Sequence, residues 1–112
     1  MKMVCAVIKP HVLDDVKAAL AAFGVKGLTI TDATGYGRQK GKTEVYRGTE
    51  YTIDLVPKKR VEVLCDGYDA EDIANVIVAS ARTGKIGDGK VWITNVDRVI
   101  RIRTGETDDD AL

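Results

Sequence analysis

The stretch TGKIGDGKVW, residues 83–92, comes close to a phosphate-binding motif. Gly84, four residues, then Gly89 and Lys90 reproduce the spacing of a P-loop, but Val91 stands where that loop needs a Ser or Thr hydroxyl for magnesium. A P-loop also follows a strand and opens a helix, whose N-terminus faces the phosphates. Here the apolar periodicity puts a helix before the stretch and a strand after it, so the P-loop reading fails on context as well. Two readings stay open. One is a glycine-rich turn. The other is a nest, in which Gly84, Gly87 and Gly89 let N–H groups converge on an anion beside the Lys90 ammonium.

Three further groupings bear on the same chemistry. IRIRTG spaces Arg101 and Arg103 two apart. On a strand their side chains share one face while Ile100 and Ile102 share the other, and like charges so placed are unfavourable unless an anion lies between them. GYGRQKG gathers Gly35, Gly37 and Gly41 around Arg38, Gln39 and Lys40. It is not a dinucleotide fingerprint, because the third spacing is wrong and no helix follows. It is a basic turn with one amide oxygen able to ligate a hard cation. RGTEYTI carries Tyr51, either accessible to a modifying enzyme or simply a loop-packing aromatic. Asp88 either orients a water or supports its turn. His11, the only histidine, reads as a strand-to-helix connector.

The elements that must position these groups follow from periodicity. Met3–Ile8 is short, apolar and β-branched, a buried strand ended by Pro10. Leu13, Val16, Ala19, Leu20 and Phe23 recur at helical spacing, and Gly24 is a stop signal. Leu28–Ala33 and Arg60–Cys65 read as strands. Asp69 is a candidate cap for a second helix whose buried face is Ala70, Ile73, Ala74, Ile77 and Ala81. Val91–Ile102 reads as a last strand, with an interruption near Asn95. The order is βαββαβ, the ferredoxin-like α+β arrangement: a four-stranded antiparallel sheet with two helices on one face. The other face, around Trp92, then needs cover, and self-association is the simplest remedy. Between strands two and three lies a segment too long for a hairpin turn, with Gly35, Gly37, Gly41, Gly48 and three tyrosines. It has the composition of a mobile, solvent-facing arm.

Bulk properties narrow the classes. At 112 residues the chain is expected to form one domain, with the arm at 37–55 and an acidic, frayed tail at 104–112. The 17 basic and 17 acidic side chains balance, which weighs against a general nucleic-acid or anionic-membrane binder. No apolar run is long enough to span a membrane and no signal peptide is evident, so a cytoplasmic location is expected. Cys5 and Cys65 lack metal-ligand or CxxC spacing and read as reduced, buried thiols.

Taken in order, AVIKPHVLDDVKAAL, GYGRQKGKTEVYRGTEY and ARTGKIGDGKVWITNVDRVIRIRTGE resemble the PII signal-transduction proteins of nitrogen metabolism, over essentially the whole chain. The resemblance implies a homotrimer of single PII-like domains with sheets facing inward, and ATP or ADP in each cleft between subunits. Gly35, Gly37, Arg38, Gln39, Gly87, Asp88, Gly89 and Lys90 would line the phosphate side. Arg101 and Arg103 would bind phosphate, and Thr29, Glu62 and Leu64 would lie near the adenine. It further implies 2-oxoglutarate bound near Gln39, Lys40, Gly41, Lys58 and Gly87, with magnesium ligated by Gln39. Tyr51 matches a tyrosine that a nucleotidylyltransferase modifies. Implied partners are an ammonium channel, or enzymes and regulators of nitrogen metabolism, reached through the long loop. Nucleic acid is not among the expected partners, and membrane contact is expected only through the channel. On this reading the protein is a regulator, at most a slow ATPase. A rival reading, a detached regulatory domain binding an amino acid, is disfavoured by the Arg101/Arg103 pair.

Overall fold

A computed structural model describes residues 1–37 and 55–112 in full and the backbone of strand segments 43–46 and 49–52. The expectations placed on Arg38, Gln39, Lys40 and Gly41, and on the side chain of Tyr51, lie outside the described residues. The elements are β1 (Lys2–Ile8), α1 (Leu13–Phe23), β2 (Thr29–Tyr36), β3 (Thr43–Tyr46), β4 (Thr49–Thr52), β5 (Leu55–Cys65), α2 (Ala70–Ala81) and β6 (Gly89–Asn95).

Four strands form one antiparallel sheet in the order β2-β5-β1-β6. Its alternation explains the core. Val4, Ala6 and Ile8 of β1 and Val61, Val63 and Cys65 of β5 point to one face, where they meet Val16 and Leu20 of α1 and Ile73 and Ile77 of α2. Ile77 is fully buried, so truncating it to alanine should cost about 2–5 kcal/mol. The fold is therefore the ferredoxin-like α+β arrangement that the element order predicts. Among the described residues no helix is long and apolar enough to cross a membrane.

Several boundaries differ from the sequence expectation. Strands β2 and β5 run on until Tyr36 pairs with Leu55, which places the root of the arm inside the main sheet. The arm itself contains the β3–β4 hairpin, which glycine and charge content had obscured. Asp69 occupies the N-cap position of α2 but makes no side-chain cap bond. Instead its N–H donates to the Asp66 carboxylate at 2.9 Å, a local turn that starts the helix. Gly24 does end α1, in a left-handed conformation, and its N–H bonds back to Leu20 and Ala21. Phe23, expected on the buried face, is 40% exposed.

The last strand is the largest correction. It stops at Asn95, because its sheet neighbour β1 begins at Lys2, the residue paired with Asn95. Arg101 and Arg103 thus lie in a turn rather than alternating along a strand, and Ile102 is almost fully exposed. The segment 104–112 is not frayed. Thr107 bridges to Ile100, and a short 3-10 turn covers Asp108–Ala111.

Candidate functional site

Beyond α2 the chain has only a few residues in which to reverse into β6. Asp88 organises that reversal. Its carboxylate accepts from the N–H groups of Thr83 and Gly84, each at 2.9 Å, and from the Thr83 hydroxyl. Lys9, at the end of β1, approaches the same carboxylate at 3.3 Å. The Thr83 hydroxyl, these backbone N–H groups and Lys9 hold the Asp88 carboxyl well below the usual carboxylate range, against a smaller opposing effect of burial. Part of the nest expected from sequence thus encloses the chain's own carboxylate. Gly89 is indispensable to the geometry: its φ is +98°, and a Cβ there would sit 1.7 Å from the Val7 carbonyl oxygen.

Lys58, on β5, is only 8% exposed. Its ammonium donates to the Gly87 carbonyl at 2.6 Å, and its stem lies against Gly35 at the root of the arm. Burial, then the nearby charge of Lys9, pushes its pKa down, while Asp88 acts in the opposite sense. The outcome is an open cleft of about 670 Å³ that brings together Gly35, Gly37, Lys58, Gly87, Asp88, Gly89 and Lys90. Val7, Tyr36, Val56, Ile86 and Trp92 supply its apolar walls. Lys90 is solvent-exposed at the rim.

The remaining site candidates lie elsewhere. Thr29 and Leu64 line a second cleft of about 550 Å³ together with Asp109, Ala111 and Leu112. Glu62 pairs with Thr29 across β5 and β2, on the sheet face away from the helices. There Arg60 reaches the Glu62 carboxylate at 3.3 Å while its guanidinium lies 5.3 Å from the centre of the Trp92 ring. Arg101 donates to the Glu106 carboxylate and to the Leu112 carbonyl, both at 3.1 Å. Arg103 is exposed.

Sequence reasoning passed over Lys9 and Thr83. The available signal for Lys9 was a cation directly continuing a buried strand, which needs an anionic partner; for Thr83 it was a hydroxyl residue at the end of α2, five residues before an aspartate. Cys5 and Cys65 are free and buried, and burial first, then nearby carboxylates, pushes both thiols up. That makes them poor nucleophiles. Among the described residues no three His, Cys, Asp or Glu side chains converge as metal ligands.

Comparison with known proteins agrees with this architecture. The family described as nitrogen regulatory protein P-II matches residues 1–106. Over 112 residues, covering both chains completely, the sequence is 54% identical to nitrogen regulatory protein P-II of Rhizobium meliloti and 52% identical to that of Rhizobium etli. It is 51% identical, again over both full lengths, to nitrogen regulatory protein P-II 1 of Escherichia coli K12.

Proposed function

Because the chain belongs to the nitrogen regulatory protein P-II family, we propose that it reports carbon, nitrogen and energy status. It does so by binding ATP or ADP, and 2-oxoglutarate with magnesium, then presenting its arm to partner proteins. The observation that carries this reading is the 670 Å³ cleft, where the arm's root, the glycine turn and three lysines, Lys58, Lys85 and Lys90, meet. Lys90 and the turn would receive phosphates, which arrive with several negative charges. Lys58, already buried, would pair with a carboxylate of 2-oxoglutarate, offsetting its own desolvation. Magnesium would be held by Gln39 together with oxygens of both ligands, where it supplies charge neutralisation between them.

Thr29 and Leu64 belong to a different cleft from Lys90. One complete site would therefore draw its phosphate side from one copy and its adenine side, with Arg101 and Arg103, from the next. A homotrimer with inward-facing sheets meets that requirement and covers the face around Trp92. Nucleotide and 2-oxoglutarate then bind with positive coupling, since each helps to complete the other's site. Titration calorimetry tests this: ATP should bind alone, and 2-oxoglutarate should give heat only once Mg-ATP is present. No detectable 2-oxoglutarate binding under Mg-ATP would remove the metabolite-sensing part.

The partners we propose are an ammonium channel or enzymes and regulators of nitrogen metabolism. Tyr51, within the arm, would be the residue that a nucleotidylyltransferase modifies. An unmodified intact mass in protein from nitrogen-starved native cells would count against that modification. The rival reading as a slow ATPase needs a group to activate water. Asp88 is poorly suited, because its carboxylate is engaged by Thr83, Gly84 and Lys9 and is a weak base. Robust phosphate release, abolished by Asp88→Asn, would reverse this judgement.

A further inference from the structure

We propose that Glu106 sets the nucleotide affinity of the site by competing, from within the chain, with phosphate for Arg101. This rests on the reading of Arg101 as a phosphate-binding residue. The geometry supplies the competition. Arg101 Nη1 donates to the Glu106 carboxylate and Nη2 to the Leu112 carbonyl oxygen, both at 3.1 Å. These two nitrogens form the end-on fork with which a guanidinium grasps a phosphate. A phosphate approaching along that fork meets the Glu106 carboxylate and the Leu112 oxygen already bonded to the same two nitrogens.

The backbone keeps the competitor at hand. Gly105 N–H donates to the Arg101 carbonyl at 2.7 Å, and Arg101 N–H to the Glu106 carbonyl at 2.9 Å. Farther out, Asp108 N–H donates to the Val99 carbonyl at 2.8 Å, and Val99 N–H to the Asp108 carboxylate at 3.3 Å. Glu106 is thus tethered within a few residues of Arg101, at high effective concentration. Side-chain exposure of 36% for Arg101 and 47% for Glu106 leaves the pair weak enough to exchange. A second effect follows from Leu112. That residue lines the cleft containing Thr29 and Leu64, so loss of its bond to Arg101 loosens one wall of the adenine side when the phosphate side is occupied.

The test is ATP binding by the intact protein and by Glu106→Gln, measured by calorimetry. Removing the competing carboxylate should tighten ATP binding about two- to five-fold, the scale of an exposed ion pair. Two variants guard the interpretation. Asp110→Asn removes the same charge from the neighbouring segment and should tighten binding less, which separates competition for Arg101 from general repulsion. Glu106→Asp, with a shorter reach, should tighten it too. If the wild type binds ATP and Glu106→Gln binds equally or more weakly, or no better than Asp110→Asn, the competition is refuted while the nucleotide reading stands. If the wild type binds no ATP, the nucleotide reading falls and the competition with it.

Discussion

Asp88 and Glu106 are both carboxylates set among groups proposed to receive phosphate, yet they are held very differently. Asp88 accepts from two backbone N–H groups, a hydroxyl and Lys9, and its side chain is 24% exposed. Glu106 meets one guanidinium, with a side chain 47% exposed. The first is a tether that shapes the turn whatever the ligand; the second can change partner. In a chain of zero net charge, both carboxylates match nearby cations from within, Asp88 with Lys9 and Glu106 with Arg101.

The sharpest way to break the comparison is at the glycines beside each carboxylate. Gly89→Ala drives a Cβ into the Val7 carbonyl from a positive φ and should cost more than about 4 kcal/mol in denaturant unfolding, or prevent folding altogether. Gly105→Ala, also at positive φ but with open space around it, should cost only about 1 kcal/mol. Comparable losses at the two sites would remove the distinction between a rigid and a yielding region.

A smaller effect is expected at the carboxylates themselves. The depressed pKa of Asp88 means that its stabilisation is fully present above the ordinary carboxylate value, about 3.9, and is lost as pH falls towards its lower folded-state value. The stability gap between wild type and Asp88→Asn should therefore be full at neutral pH and shrink below about pH 4. Glu106→Gln should stay within about 0.5 kcal/mol of wild type at neutral pH. Denaturation curves across pH measure both.

Lys58 gives the gentlest test, by pH alone. Burial and Lys9 lower its pKa, so it loses its proton at a lower pH than an ordinary lysine. Its charge is lost as pH rises through that lowered folded-state value. Binding of 2-oxoglutarate under Mg-ATP should therefore weaken on the alkaline side, before free lysine would titrate. Lys58→Arg, whose charge persists there, should flatten the profile if it still binds; an equally steep decline in that variant would point to another group.

How much of this was legible in the sequence depended on range. The strands and helices were readable because the core face repeats locally, as in Val61 and Val63 or Ile73 and Ile77. The end of β6 was not, because it depends on where β1 starts, nearly the whole chain away. Ile100 and Ile102 suggested a strand by alternation, but among the described residues Ile100 makes only an isolated bridge to Thr107 rather than joining the sheet. The glycine turn was recognised as a candidate anion site, and Lys58 was named only through resemblance. That Thr83, Lys9 and Asp88 close upon one another was hidden, since Lys9 reaches Thr83 across 74 residues.

The place of β1 in the sheet has a consequence for how the molecule is made. Of the four strands in its sheet it is synthesised first, so both its neighbours come later, and its contact from Lys2 to Asn95 spans 93 residues. Closing such separations costs chain entropy before any pairing rewards it, which slows folding. During translation β1 must therefore wait with both edges open until β5 and then β6 have emerged. A strand flanked on both sides in the finished sheet thus spends much of its synthesis with both edges unpaired.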